Sequence, residues 1–247
     1  MIITDTEYAD LPTATGPMRT YIYRPTTGKH PAVVLYSEIF QATAPIRRTA
    51  AYLAGHGFVV AVPEVYHELM PQPGVVLAYD TAGADRGNAC KIEKELSSYD
   101  GDAKACVDFL KTHPNSTGHV GTWGMCLGGH LAFRAACTNA DVAAAVCFYA
   151  TDIHKRSLAK GMHDDTLDRI KDLKAETLMI WGRLDPHVPL EGRRIVYDAL
   201  TANQIDFTWL EVTGQHAFIR DEGARYDAEL ARQGMTMGID LLRRKLR

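Results

Sequence analysis

A cysteine framed by glycines is the first feature of this sequence that could do chemistry. Residues 121–130 read "GTWGMCLGGH", with an apolar run before Cys126 and a helix-like stretch after it. Gly-x-Cys-x-Gly between a strand and a helix is typical of a nucleophile elbow, a tight turn that exposes the nucleophile above the sheet. Glycine fits positions 124 and 128 because a side chain there would collide with neighbouring backbone. The helix dipole behind the turn favours a thiolate, so we predict that Cys126 is a nucleophile.

A nucleophile on such a turn needs a base, and two residues further along the chain fit that need. In hydrolases with this elbow, the chain order is nucleophile, acid, histidine. Asp185 follows a strand-like run in "LMIWGRLDPHVP", and His216 follows the next run in "EVTGQHAF". Of the ten histidines, only His216 comes on a loop after a late strand in this order. We therefore predict a Cys126–His216–Asp185 triad at the carboxyl ends of the strands, where ligands bind in open α/β sheets.

Elements that can position such a triad alternate along most of the chain. Strand-like runs cover residues 21–24, 32–36, 58–62, 120–123, 144–149, 177–181 and 207–212. Helix-like stretches cover residues 46–55, 102–110, 127–136, 190–200 and 224–246. Most of the runs lack polar alternation, which indicates strands buried on both faces of a parallel sheet. We therefore predict an α/β protein with a doubly wound, mostly parallel sheet flanked by helices.

The organisation of the chain is simple. Neither an internal repeat nor a linker rich in Pro, Gly or Ser divides it, so we expect one domain over residues 1–247. Residues 64–98 form the least regular segment. Long excursions of this kind beyond a strand end commonly shape a binding cleft, and we expect this one to do so.

Composition excludes several classes of protein. The formal net charge is −3, so the chain lacks the basic footprint expected for binding nucleic acid or an anionic membrane. Its start has no secretory signal pattern, and no apolar run is long enough to span a bilayer. Five cysteines without a CxxC pair argue against a disulfide framework and a zinc site. We expect a cytoplasmic protein, monomeric or weakly dimeric, that needs no metal or organic cofactor.

With these residues in place, the chain resembles the dienelactone hydrolase (carboxymethylenebutenolidase) family. The segments that carry the likeness are "SEIF", "DRGNACK", "GMCLGGHLAF", "WGRLDPHVP" and "GQHAFIR", and they extend over nearly the whole length. The resemblance implies an α/β-hydrolase fold with a Cys-His-Asp triad. It also implies that Glu38 contacts Cys126 and helps to take the thiol proton when substrate enters. The backbone N–H groups of Ile39 and Leu127 would form the oxyanion hole.

The resemblance further implies that Arg86 and Arg220 grip a substrate carboxylate, a task suited to the guanidinium fork. The chain departs from the family pattern in two places. Relatives often have a tyrosine or tryptophan in the cleft where this chain has Cys90 and its neighbours, and often a serine where it has Ala217. These departures change the predicted lining of the cleft and leave the substrate open, but they do not touch the triad.

The predicted reaction is the hydrolysis of a lactone or activated ester, with a small molecule as the only partner. Cys126 attacks the carbonyl, an acyl-thioester forms, and His216 activates the water that hydrolyses it. Three alternatives stay open. One is a carboxylesterase of broad specificity with the same fold. Another is a class I glutamine amidotransferase, whose elbow also reads Gly-x-Cys-x-Gly but which carries a late His-Pro-Glu dyad. The third is a redox sensor, although no resolving cysteine lies nearby in the sequence.

Overall fold

One sheet of eight strands forms the centre of the computed structural model, which describes residues 2–247. The strands are β1 (Ile3–Thr13), β2 (Gly16–Pro25), β3 (His30–Tyr36), β4 (Val59–Pro63), β5 (Ser116–Met125), β6 (Val142–Phe148), β7 (Glu176–Gly182) and β8 (Phe207–Val212). Their order in the sheet is β1-β2-β4-β3-β5-β6-β7-β8. Strands β3 to β8 are parallel, whereas β1 and β2 pair antiparallel. The prediction of a mostly parallel sheet is confirmed.

Helices connect the parallel strands and cover the sheet. Within residues 2–247 they are α1 (Ala44–Gly55), α2 (Thr81–Glu93), α3 (Leu96–Thr112), α4 (Leu127–Thr138), α5 (Thr166–Arg169), α6 (Leu190–Ala202) and α7 (Ala228–Lys245). Short 3₁₀ turns at residues 153–155, 160–162 and 170–172 lie between β6 and β7. Asp80 caps α2 by accepting a hydrogen bond from the amide of Gly83. None of these helices has an apolar stretch of the length that a bilayer crossing requires.

The apolar runs become central strands because they are covered on both faces. Every residue of β4 and of β7 is buried, as are residues 32–36 of β3. Helix α4 packs on β5 and β6, and α7 packs on β6 and β7. Burial in this core fixes the carboxyl ends of the parallel strands along one edge of the sheet, where the loops that carry polar residues begin.

Besides the single turn of α5, the sequence patterns miss two longer elements. Strand β1 is an edge strand whose residues are mostly half-buried or exposed, and its polar sequence therefore lacks the apolar run of a central strand. Helix α2 lies inside the segment predicted to be the least regular. Its sequence, "TAGADRGNACKIE", buries only two glycines and a cysteine, so it has no apolar periodicity to reveal it.

Candidate active site

Cys126 lies at the turn between β5 and α4, and its backbone has the conformation of a strained elbow. Its φ is 59° and its ψ is −124°, a combination that residues with side chains rarely adopt. A Cβ at Gly124 would overlap the carbonyl of Gly128, and a Cβ at Gly128 would overlap the carbonyl of Tyr36. The Cys126 amide donates to the carbonyl of Phe148 (3.1 Å), which ties the turn to β6. Close approach of backbone therefore explains the two glycines around the cysteine.

His216 and Asp185 lie side by side beyond the ends of the neighbouring strands β8 and β7. Nδ1 of His216 donates to Oδ2 of Asp185 at 2.7 Å, and both side chains are buried. The other oxygen of the carboxylate accepts a hydrogen bond from the amide of His187 (2.8 Å). The two loops approach so closely that a Cβ at Gly182 would overlap the carbonyl of Gly214. With Nδ1 occupied, Nε2 is the imidazole nitrogen left for chemistry.

The protonation of His216 depends on Cys126 and Asp185. Burial alone would lower the pKa of His216, but the charge of the Cys126 thiolate and the hydrogen bond to Asp185 raise it to about 10. Burial would likewise raise the pKa of Asp185, but the hydrogen bond and charge of His216 hold it below its ordinary value. His216 and Asp185 therefore stabilise each other's charged form, the imidazolium and the carboxylate.

Glu38 follows β3 and is only 3% exposed. Its Oε2 accepts a hydrogen bond from the hydroxyl of Tyr79 (3.3 Å) and lies 3.5 Å from the guanidinium of Arg220. Burial raises the pKa of Glu38, and the charges of Arg220 and His216 offset only part of that effect. The side-chain hydrogen bond that this carboxylate accepts comes from Tyr79 and not from the thiol of Cys126. A buried carboxyl group with increased proton affinity therefore lies in the same cleft as the cysteine.

The two arginines of the expected carboxylate clamp occupy different places. Arg220 lines the cleft, with its guanidinium carbon 4.2 Å from the centre of the Tyr79 ring. Arg86 does not line the cleft. Its guanidinium donates to the carbonyl of Leu69 (2.8 Å) and to the carboxylate of Glu93 (3.3 Å). The expectation that Arg86 grips substrate is therefore corrected: the structure places this side chain outside the cleft.

The position of Arg86 follows from the face that α2 presents to the cleft. Ala84, Asn88 and Lys91 line the cleft, and their spacing of four and three residues places them on one helical face. Arg86 is two residues from Ala84 and two from Asn88, so it projects from a different face. The motif "DRGNACK" could not reveal this difference because no helix was predicted around it.

The backbone N–H groups of Ile39 and Leu127 have no acceptor within residues 2–247. Leu127 opens α4, where the N–H groups of the first turn lack helical partners. Tyr36 of β3 pairs with Gly124 of β5. Ile39 comes three residues after Tyr36, and Leu127 comes three residues after Gly124, so the two free N–H groups follow this pair at the same distance along their chains. Helix α2 packs tightly on the first turn, since a Cβ at Gly87 would lie 2.6 Å from the carbonyl oxygen of Ile39. Two adjacent turns thus supply free backbone donors near the cysteine.

A cleft of about 280 Å³ collects most of the predicted site residues. Those that line it are Glu38, Ile39, Cys126, His216 and Arg220. Sequence reasoning missed nine further polar lining residues, namely Tyr79, Asp80, Asn88, Lys91, Thr151, Asp152, Lys155, His187 and Arg225. No sequence pattern marks these residues, because α2 has no apolar periodicity and the others lie in segments without a periodic pattern. Within the described range, no group of His, Cys, Asp and Glu side chains is arranged to hold a metal ion.

Comparison with known proteins gives a consistent result. The model of the dienelactone hydrolase family matches residues 18–246. A Saccharomyces cerevisiae protein named "Putative carboxymethylenebutenolidase" is 42% identical over 260 residues, which cover 100% of this chain and 94% of that protein. The carboxymethylenebutenolidase of Pseudomonas putida is 28% identical, over 88% of this chain and 87% of its own length.

A solved structure shares the whole fold. The crystal structure titled "Putative Dienelactone Hydrolase" from Klebsiella pneumoniae superposes with a TM-score of 0.85 at 23% identity, covering 98% of this chain and 99% of that one. The predicted α/β-hydrolase fold is confirmed by this superposition and by the family match.

Proposed function

The chain belongs to the dienelactone hydrolase family, which makes it an enol-lactone and carboxylic ester hydrolase, and we propose that it acts through a covalent thioester on Cys126. The observation that supports this most strongly is the shared cleft: the strained elbow of Cys126 opens into the cleft that His216 lines, and Asp185 orients the imidazole. A strained backbone persists only where the surrounding structure enforces it, and such strain clusters at active sites.

In the first half of the proposed reaction, the thiolate of Cys126 attacks the carbonyl carbon of the substrate. Negative charge develops on the carbonyl oxygen, and the free N–H groups of Ile39 and Leu127 are the proposed donors to it. When the tetrahedral intermediate collapses, the bond to the leaving oxygen breaks. The imidazolium of His216 gives its proton to that oxygen, and the acyl group stays on sulfur as a thioester.

In the second half, the neutral imidazole of His216 takes a proton from water, and the resulting hydroxide attacks the thioester. The carbon–sulfur bond breaks, the carboxylic acid product leaves, and the thiolate–imidazolium pair forms again. Asp185 keeps Nδ1 of the imidazole occupied throughout, so that Nε2 exchanges every proton.

Glu38 is the proposed acceptor of the thiol proton in enzyme molecules that hold Cys126 as a thiol. Its increased pKa suits this role, because a carboxylate that is too weak a base would not take the proton. Arg220 and Tyr79 hold the carboxylate in the free enzyme. A substrate carboxylate that engages Arg220 would release Glu38 toward the sulfur, which couples thiolate formation to substrate entry.

The substrates proposed for this site are enol-lactones and aryl esters. A thiolate is itself a good leaving group, so the tetrahedral intermediate expels a strong alkoxide poorly and an enolate or phenolate well. The family model matches nearly the whole chain, and we therefore set aside the class I glutamine amidotransferase and the redox sensor as functions.

The proposal is tested by following the loss of dienelactone absorbance and the hydrolysis of 4-nitrophenyl acetate by the wild type and by Cys126→Ala. We expect the variant to lose at least about 10³-fold in kcat on both substrates. Cys137→Ala is the matched control, because this cysteine is buried on α4 and does not line the cleft. Wild-type rates in Cys126→Ala, or equal losses in both variants, would refute a nucleophilic role for Cys126.

A further inference from the structure

The face of α2 that packs into the protein is poor in apolar side chains. Its buried residues are Gly83, Gly87 and Cys90, and the buried Lys94 follows directly after the helix. These four positions are spaced by four, three and four residues, which places them along one side of the helix. Two glycines and a cysteine bury little apolar surface, so the hydrophobic effect contributes little to holding α2 in place.

A buried group of charges lies at the end of α2 instead. The fully buried ammonium of Lys94 is 2.8 Å from Oδ2 of Asp102 on α3 and 3.1 Å from Oε2 of Glu68 in the loop after β4. Glu68 also accepts a hydrogen bond from the hydroxyl of Ser98 (2.7 Å). We call Lys94, Glu68 and Asp102 the ion cluster. Hydrogen bonds between charged groups are stronger than neutral ones, so the ion cluster joins α2 firmly to two other elements.

Tyr66 connects the same loop to α2 at a second point. This buried residue lies two positions before Glu68, and its hydroxyl donates to the carbonyl of Gly87 (3.1 Å). Its backbone N–H donates to Oε1 of Gln41 (3.3 Å), which belongs to the turn after β3, two residues beyond Ile39. The loop after β4 therefore holds α2 at Gly87 and at the ion cluster, and it also holds the turn that carries a proposed oxyanion donor.

Helix α2 is in direct contact with the peptide of Ile39. A Cβ at Gly87 would lie 2.6 Å from the carbonyl oxygen of Ile39 and 2.9 Å from its Cβ, so the backbone of the helix packs against the turn. A displacement of α2 would therefore move this turn or leave it without support. Because a misplacement of about 1 Å at a reacting centre can cost about 10²-fold in rate, the position of α2 matters for the proposed oxyanion hole.

We propose that Lys94 is a positioning residue for the reaction: through the ion cluster it holds α2 against the turn of Ile39 and so keeps the N–H of Ile39 in place for the oxyanion. This inference rests on the proposed function. Lys94 does not line the cleft and touches no reacting atom, and it acts through the contact between Gly87 and Ile39.

Three variants of the full-length chain separate positioning from folding. Lys94→Met removes the ammonium and leaves two carboxylates without their cation, which destabilises the protein. Lys94→Met combined with Asp102→Leu replaces the buried pair by apolar side chains, an exchange that commonly restores stability. Leu200→Ala is the control for lost stability, because it creates a cavity at a fully buried position of α6 that does not line the cleft.

The measurements are kcat and KM on 4-nitrophenyl acetate, the rate of Cys126 alkylation by iodoacetamide, and the urea midpoint. They are made at pH 8, above the pKa of about 6 to which burial raises Asp102. Alkylation occurs at a saturated carbon and develops no oxyanion, so it reports the thiolate independently of the N–H of Ile39. Both Lys94 variants should lose about tenfold in kcat, with KM and the alkylation rate within about twofold of wild type. Leu200→Ala should keep the wild-type kcat despite a lower urea midpoint.

The double variant gives the decisive result. A wild-type urea midpoint together with a reduced kcat supports the positioning role, whereas recovery of kcat along with the midpoint would show that Lys94 only stabilises the fold. Equal losses in kcat and in alkylation would also overturn the inference, because the thiolate would then be affected. So would a loss of kcat in Leu200→Ala as large as that in Lys94→Met. If the wild type hydrolyses neither 4-nitrophenyl acetate nor a dienelactone, the proposed function fails and this inference fails with it.

Discussion

Nδ1 of His216 donates a 2.7 Å hydrogen bond to Oδ2 of Asp185, and the carboxylate thereby fixes which imidazole nitrogen can exchange protons in the cleft. Two neighbouring strands, β7 and β8, bring these residues together although they lie far apart in the sequence. Because this hydrogen bond joins an orienting residue, Asp185, to a proton-transferring residue, His216, the two roles can be tested separately.

Asp185→Asn preserves the size of the side chain but removes its negative charge and favours the wrong tautomer of His216. We expect kcat on 4-nitrophenyl acetate to fall about 10²- to 10⁴-fold with little change in KM. Asp198→Asn, an exposed aspartate on α6, should keep the wild-type rate and controls for the loss of one negative charge. An active Asp185→Asn enzyme would contradict the orienting role.

The protonation of His216 should depend on the cysteine. With a pKa raised to about 10, the imidazole of the wild type stays protonated across the neutral range and loses its proton only as the pH rises toward that value. In Cys126→Ala the thiolate charge is absent. The effect of burial is then opposed only by Asp185, so the pKa of His216 should fall. Titration of the ¹³Cε1 resonance of His216 measures both values. An imidazole in the wild type that titrates near 6.5 would contradict the thiolate–imidazolium pair.

The acid limb of the pH–rate profile should report Glu38. Burial raises the pKa of this carboxyl group above its ordinary 4.5. As the pH falls through the raised value, Glu38 becomes protonated and can no longer accept the thiol proton, so kcat/KM should decrease. Glu38→Gln should lose about 10²-fold in kcat/KM and should no longer show this acid limb. Identical acid limbs in the variant and the wild type would remove Glu38 from proton transfer.

The elbow should be sensitive to a single methyl group. Gly124→Ala forces a Cβ against the carbonyl of Gly128, and we expect a loss of about 3 kcal/mol or more in the free energy of unfolding. Gly101→Ala in α3 is the control, because a Cβ there meets no atom within 4 Å. That substitution should be neutral or stabilising, since alanine favours a helix. Urea unfolding of both variants measures the difference, and equal stabilities would contradict the close packing of the elbow.

Several features of this protein could be predicted from the sequence because simple physical constraints create them. Strands buried on both faces must be apolar where they are buried, so the runs of β3 to β7 stand out. The elbow needs glycines for steric reasons, and the sheet topology dictates the chain order of Cys126, Asp185 and His216. These three positions therefore carry a signal in residue type and spacing.

Other features carry no such signal. Helix α2 packs through glycines and a cysteine. Neither the helix itself nor the side of it on which Arg86 lies could therefore be predicted. Tyr79, Lys155 and Arg225 enter the cleft from loops whose course depends on tertiary contacts, such as the hydrogen bond between Tyr79 and Glu38. Residue type alone cannot distinguish a cationic side chain that lines a cleft from one at the surface.

The most direct test of the account is to look for the acyl group on sulfur. Asp185→Asn enzyme is mixed with 4-nitrophenyl acetate, quenched in acid during turnover and digested, and the peptides are examined by mass spectrometry. We predict one acetyl group on the peptide that contains Cys126, released by hydroxylamine as a thioester is, and no such adduct in Cys126→Ala. An acetyl group on another residue, or turnover without any adduct on the Cys126 peptide, would contradict the thioester mechanism.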